Sequence, residues 1–176
     1  MTRVYVPLAL DGLQRLLRDG SLPEVLAAFA VTDDLVDWWS QGAAQPLDSE
    51  ELEYAAMLQA AAGALELLDP EGVASGTQPA RRLVLAADAA TVDADPDAEP
   101  SPGAVRLEGP LELRQLVALH VDAALAEPSV RAAVAALADD SAPSSHVELV
   151  LSELVDHDLG WYAPAEAEAL LTELGA

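Results

Sequence analysis

The chain has 176 residues and a mass of 18.3 kDa, with 52% hydrophobic residues and 31 Asp and Glu against 8 Lys and Arg, a formal net charge of -23. Such a chain has the apolar content to fold and is too acidic to span a membrane or grip a nucleic-acid backbone directly. All eight basic residues are arginine and cysteine is absent, which excludes lysine Schiff bases, a P-loop lysine, disulfides, thiolate nucleophiles and cysteine-ligated zinc.

In chain order, Arg3 to Pro7 alternates with β-branched and aromatic residues and predicts a first strand stopped by Pro7. Asp11 to Gln14 has the form of a capping box, with Leu13, Leu16 and Leu17 on one helical face and Gly20 as a stop. Ser21 to Glu24 repeats the capping signature, but Ala27 to Thr32 reads as a buried strand. Thr32 or Asp33 then caps a short helix through Leu35, Val36, Trp38 and Trp39, ended by Ser40-Gln41-Gly42. A longer helix is expected from Asp48 or Ser49 to Leu68, with acids in its first turn and an apolar face of Tyr54, Leu58, Ala61, Leu65 and Leu68. Asp69 to Gly72 closes it.

Arg81 to Ala87 predicts another strand. The stretch from 91 to 104 carries four acids and three prolines and is expected to be a mobile acidic loop. Val105 to Glu108 alternates as a strand, Leu111 to Gln115 suits a helical turn, and Leu116 to Val121 suits a central strand. Glu127 or Pro128 opens a helix that buries Val130, Ala133, Val134 and Leu137. Val147 to Val155 fits both periods and is read as a helix. Trp161-Tyr162 is placed at a turn before a last helix begun by Pro164.

These elements predict one α+β domain over 1–176, with a mixed or antiparallel sheet of about four to five strands and helices packed on it. The two halves repeat an arginine-led strand (Arg3-Val6 and Arg82-Leu85), a small apolar strand (Ala27-Val31 and Val117-Val121) and a helix. A duplicated β-α-β-α arrangement of the ferredoxin-like kind, with helices on one face, is therefore one form the sheet can take.

The sequence resembles a functionally uncharacterised family of small acidic actinobacterial proteins, a domain of unknown function. The resemblance rests on Arg3-Val4-Tyr5-Val6-Pro7, Ala30-Val31-Thr32 before Trp38-Trp39, Glu53-Tyr54-Ala55-Ala56, Leu119-His120-Val121-Asp122 and Asp158-Leu159-Gly160-Trp161-Tyr162. It implies an actinobacterial, cytoplasmic protein and supplies no activity or catalytic residue. The composition fits either a GC-rich genome or adaptation to high salt. The N-terminus lacks the pattern of a secretion signal, and apolar runs break well before the roughly 18 residues of a membrane span, so a cytoplasmic location is expected.

Three histidines stand beside carboxylates: His120 with Asp122, His146 with Glu148, and His157 between Asp156 and Asp158. Imidazole and carboxylate together are ligands for divalent metals, so His120, Asp122, Asp156 and His157 form the candidate metal set, although abundant acid places a carboxylate beside any histidine without a functional reason. Ser75 lacks the preceding glycine of a nucleophile elbow, and no phosphate-cradling glycine motif is present. Trp38 and Trp39 point about 100° apart on a helix, so one of them is expected to be partly exposed. With Trp161 and Tyr162 they are the candidate partner-binding residues, against the plainer reading of both pairs as core. Arg3, Arg81 and Arg82 are read as sheet-edge charges that pair with nearby acids.

The leading expectation is a non-enzymatic acidic protein that selects a basic or arginine-rich protein partner, with no cofactor. The rivals are a metal-dependent hydrolase or metabolite-binding enzyme built on the His/Asp groups, and a nucleic-acid mimic, whose carboxylates would stand in rows. The oligomeric state is left open.

Overall fold

The alternation at the start of the chain forms β1 (Thr2–Pro7) in the computed structural model, which describes residues 1–25, 27–41, 47–90, 92–94 and 101–175. Helix α1 (Leu10–Asp19) follows and ends at Gly20, whose φ of 76° lets the chain turn out of the helix. The expected capping box does not form, because Asp11 lies inside the helix and pairs with Arg15 one turn on. The capping signature at Ser21 to Glu24 is also silent: Ser21–Leu22 is β2, paired with β7 (Leu111–Glu112) as a separate ribbon. The strand expected at Ala27 to Thr32 is reduced to β3 (Ala28–Phe29).

Thr32 caps α2 (Asp33–Trp39) as its side chain predicts. Asp48 and Glu51 make the reciprocal capping box of α3 (Ser49–Glu66) at 2.9 Å each way. Asp69, expected to close that helix, instead caps α4 (Pro70–Ser75), which ends at Ser75. Then come β4 (Leu83–Ala89), β5 (Val92–Ala94), β6 (Ala104–Leu107) and, after β7 and a 3-10 turn at Leu113–Gln115, β8 (Leu116–Asp122). The chain continues through α5 (Glu127–Ala138), α6 (Ser144–Val155), β9 (Leu159–Tyr162) and α7 (Ala167–Glu173).

The fold is α+β, with a sheet in the order β5-β6-β3-β1-β4-β8-β9 in which every neighbouring pair is antiparallel. It is wider than the expected about four to five strands because β5 and β9, of three and four residues, carry too few residues to show a period. Residues 91–104 are correspondingly not a loop throughout: Val92–Ala94 pairs with β6, and Ala104 opens β6. The remainder of that expectation, at 91 and 95–100, lies outside the described residues, as does Gly42.

Helices cover both sheet faces, not one. Val4, Val6, Leu83, Leu85, Leu119 and Val121 pack against Leu13 and Leu16 of α1 and Leu170 of α7. Tyr5, Phe29, Val84, Ala86 and Ala118 face α3. The stripe that α3 buries is mostly alanine, at 55, 56, 60, 61 and 64, with Met57 and the expected Leu65, whereas Tyr54 is exposed and Leu58 only half-buried. Alanines bring that helix close to a sheet face that already carries Tyr5 and Phe29, so large and small residues interdigitate. A third cluster joins Leu65 to Val73, Val130, Ala133, Val134 and Leu154 across α3 to α6, while Leu137, expected in the core, is exposed.

The ferredoxin-like form is not adopted. In that fold an inserted strand separates the two strands of each β-α-β unit, but β1 and β3, joined by α1, pair directly through Tyr5 and Phe29. The four strands that the two halves share do run β3-β1-β4-β8, symmetric about the central pair, yet α1 connects the first two and β5 to β7 connect the second two.

Candidate functional site

The α3 face of the sheet turns polar towards the N-terminal end of that helix. Residues paired across antiparallel strands share a face, and the register sets Arg3 beside Asp88, Tyr5 beside Ala86, and His120 between Val84 and Trp161. Alanines at 86 and 118 leave room for the Tyr5 ring, whose centroid lies 6.3 Å from that of His120. From α3, Glu53 accepts a hydrogen bond from the Tyr5 hydroxyl at 3.2 Å, and the Tyr54 hydroxyl donates to Asp158 at 3.2 Å, just before β9. Arg3 donates from Nε to Asp88 at 2.8 Å.

Burial, followed by the Glu53 carboxylate, pushes the Tyr5 phenol up to about 12, so it is a hydrogen-bond donor at neutral pH. Burial, followed by the nearby Arg3 charge, holds the His120 imidazole below its ordinary value and therefore neutral at pH 7. Burial and then Asp158 raise Tyr54 in the same sense. The group is thus two protonated phenols, a neutral imidazole and anchored carboxylates, in which hydrogen-bond donation and aromatic stacking are the available chemistry.

The expected metal set is not drawn together. Asp122 is fully buried and its two oxygens are taken by Arg82, while the Nε2 of His157 lies 3.1 Å from the Ser129 hydroxyl. His120 faces Tyr5, Asp156 is exposed, and His146 and Glu148 lie exposed on α6. Among the described residues no three His, Cys, Asp or Glu side chains are grouped as metal ligands.

Trp39 packs against the α3 core and Trp38 is 44% exposed, as their angular separation predicts. Trp161 lies on strand β9 instead of at a turn and is 63% exposed, while Tyr162 turns to the opposite face and packs with the α1 side. The sequence pattern missed Tyr5, Glu53, Tyr54 and Asp158, because only the sheet register unites positions so far apart. It also misplaced Arg82, which is buried and not a sheet-edge charge, although it pairs with an acid as expected.

Among the described residues, Arg3, Arg15, Arg18, Arg81, Arg82 and Arg114 pair with carboxylates. The excess negative charge therefore reaches the surface largely unopposed. An antiparallel α+β sheet with an aromatic, acid-flanked edge strand defines the class of protein. The chain belongs to a family of unknown function, DUF6912, whose match covers residues 2–171. No curated protein and no solved structure matches it. No helix among the described residues is long and apolar enough to cross a membrane.

Proposed function

We propose that this is a non-catalytic protein-binding domain whose contact surface centres on Trp161 and takes an arginine-rich segment of a partner protein. The observation that carries the reading is the placement of Trp161, 63% exposed on a strand that ends the sheet. Large exposed aromatics on edge strands are costly unless covered, and they dominate the energetics of interfaces. Three residues before Trp161 in the chain, the exposed Asp158 carboxylate accepts a hydrogen bond from the exposed Tyr54. An indole face with a carboxylate nearby suits a guanidinium through cation–π contact and ion pairing. The net charge of -23 supports steering of a basic partner. Trp38, beside Asp33, Asp34 and Asp37 on α2, is a secondary contact. The family resemblance is what points to an actinobacterial host and a cytoplasmic setting.

The test is capture from host lysate with the tagged wild-type chain and with Trp161→Ala, at low and high salt, with bound proteins and metals identified. A partner held by wild type, lost at high salt and lost by Trp161→Ala supports the reading. Stoichiometric divalent metal without any such partner overturns it in favour of the His/Asp enzyme.

A further inference from the structure

A cleft of about 920 Å3 opens along the C-terminal half of α3, on a different part of the helix from Glu53 and Tyr54. Leu8, Leu22, Phe29 and Leu137 supply apolar lining. Gly12 on α1 and Gly63 on α3 let Leu8, Pro7 and Phe29 pack close to the helices in its walls, and Ala62 lies beside them on α3. Its volume falls within the range of roughly 300–1,000 Å3 typical of small-molecule sites.

The charges around it are one-sided. Asp11, Glu24 and Glu66 line the cleft, and Arg15 is the one cation among the described lining residues. The Arg15 guanidinium is spoken for, with Nη2 3.3 Å from Asp11. Glu24 and Glu66 have no ion-pair partner among the described residues, and both are exposed. An anion entering here meets uncompensated carboxylates, whereas a cation gains two while its apolar body is desolvated.

We infer that the cleft between α1 and α3 binds a small organic cation, with an apolar or aromatic body against Leu8 and Phe29 and its positive charge towards Glu24 and Glu66. This site is separate from the β9 edge. The test titrates the full chain with berberine, an aromatic cation, and with anilinonaphthalene sulfonate, an apolar anion. Ala62→Trp, at an exposed position, fills the cleft; Glu24→Gln/Glu66→Gln removes its charge without changing its shape.

Wild type is expected to bind one berberine per chain, and the anion more weakly. Ala62→Trp and the double Gln variant are each expected to weaken berberine by about tenfold or more. The titration is repeated with Trp161→Ala, where the cleft is expected to keep its berberine although the β9 edge no longer presents an indole to a cation. The proposal is overturned if no saturable binding is seen to about 1 mM. It is also overturned if the anion binds as tightly as the cation, if folded Ala62→Trp binds like wild type, or if Trp161→Ala abolishes binding. Should Ala62→Trp fail to fold, the double Gln variant decides, and undiminished binding by it overturns the proposal.

Discussion

Asp122 and Arg82 bury one another: Oδ2 accepts from the Arg82 backbone N–H at 2.7 Å and from Nε at 2.8 Å, Oδ1 accepts from Nη2 at 2.7 Å, and the residues are 0% and 5% exposed. The same Nη2 donates to the His157 carbonyl at 3.1 Å. One guanidinium thus joins the start of β4 to the end of β8 and fixes the chain just before β9, the strand that presents Trp161. Removing one partner of such a pair leaves a buried charge unmatched. Asp122→Ala is therefore expected to cost about 3–5 kcal/mol, lowering Tm by roughly 6–20 °C for a chain of this size. An apolar replacement of both, Arg82→Met/Asp122→Leu, is expected to recover most of that loss in thermal unfolding.

The turn that leads into β6 is held by Gly103. Its φ is 83°, a Cβ there would meet the Ala30 carbonyl oxygen at 2.9 Å, and its own N–H donates to Asp34 at 3.1 Å. Gly103→Ala combines backbone strain with a clash against main chain and is expected to cost about 2–4 kcal/mol. Gly109, with φ 84° and nothing within 4 Å of its would-be Cβ, provides the contrast. Gly109→Ala is expected to cost only about 1 kcal/mol. Equal losses for the two in urea unfolding would contradict the clash.

His120 links stability to pH. Burial and then Arg3 depress its folded-state value, so the unfolded chain binds the proton more readily and folding favours the neutral ring. That contribution is complete above the unfolded value of about 6.5 and is lost as pH falls from there through the folded value. Relative to His120→Gln, wild type is expected to lose stability between pH 7.5 and pH 5.5. An unchanged difference between the two proteins across that range, measured by urea unfolding, would contradict the account.

With a net charge of -23 and most arginines already paired, self-repulsion weakens the compact state where the Debye length is long. Sodium chloride added from low to moderate concentration is expected to raise Tm. A fall over that range would place the net effect of salt in the ion pairs instead.

The class of fold and most elements were legible because their signals are local. Alternation gave β1 and β6, short apolar runs gave β4 and β8, the Thr32 and Asp48 side chains gave the starts of α2 and α3, and Glu127-Pro128 gave α5. The buried face of α3 was read in part: Ala61, Leu65 and Leu68 are buried as expected, but Tyr54 and Leu58 are not, and the alanines at 55, 56, 60 and 64 carry too little weight in a hydrophobic pattern to stand out. Alanines of α3 pack with the large Tyr5 and Phe29 side chains of the sheet. β5 hides among acids and prolines because its pairing with β6 is a tertiary fact. The candidate site divides in the same way. Partial exposure of the tryptophan pair followed from helical geometry, but the union of Tyr5, Glu53, His120 and Trp161 depends on which strands are neighbours.

The central claim, that Trp161 on β9 receives arginine side chains, is tested most directly by isothermal titration of an arginine-rich peptide into wild type and Trp161→Ala at low and moderate salt. Trp161→Ala is expected to lose about 2 kcal/mol or more of binding free energy, as an interfacial aromatic anchor does, and wild-type affinity is expected to fall as salt rises. Equal affinity in the two proteins would mean that net charge alone attracts the peptide, and would contradict a site at β9.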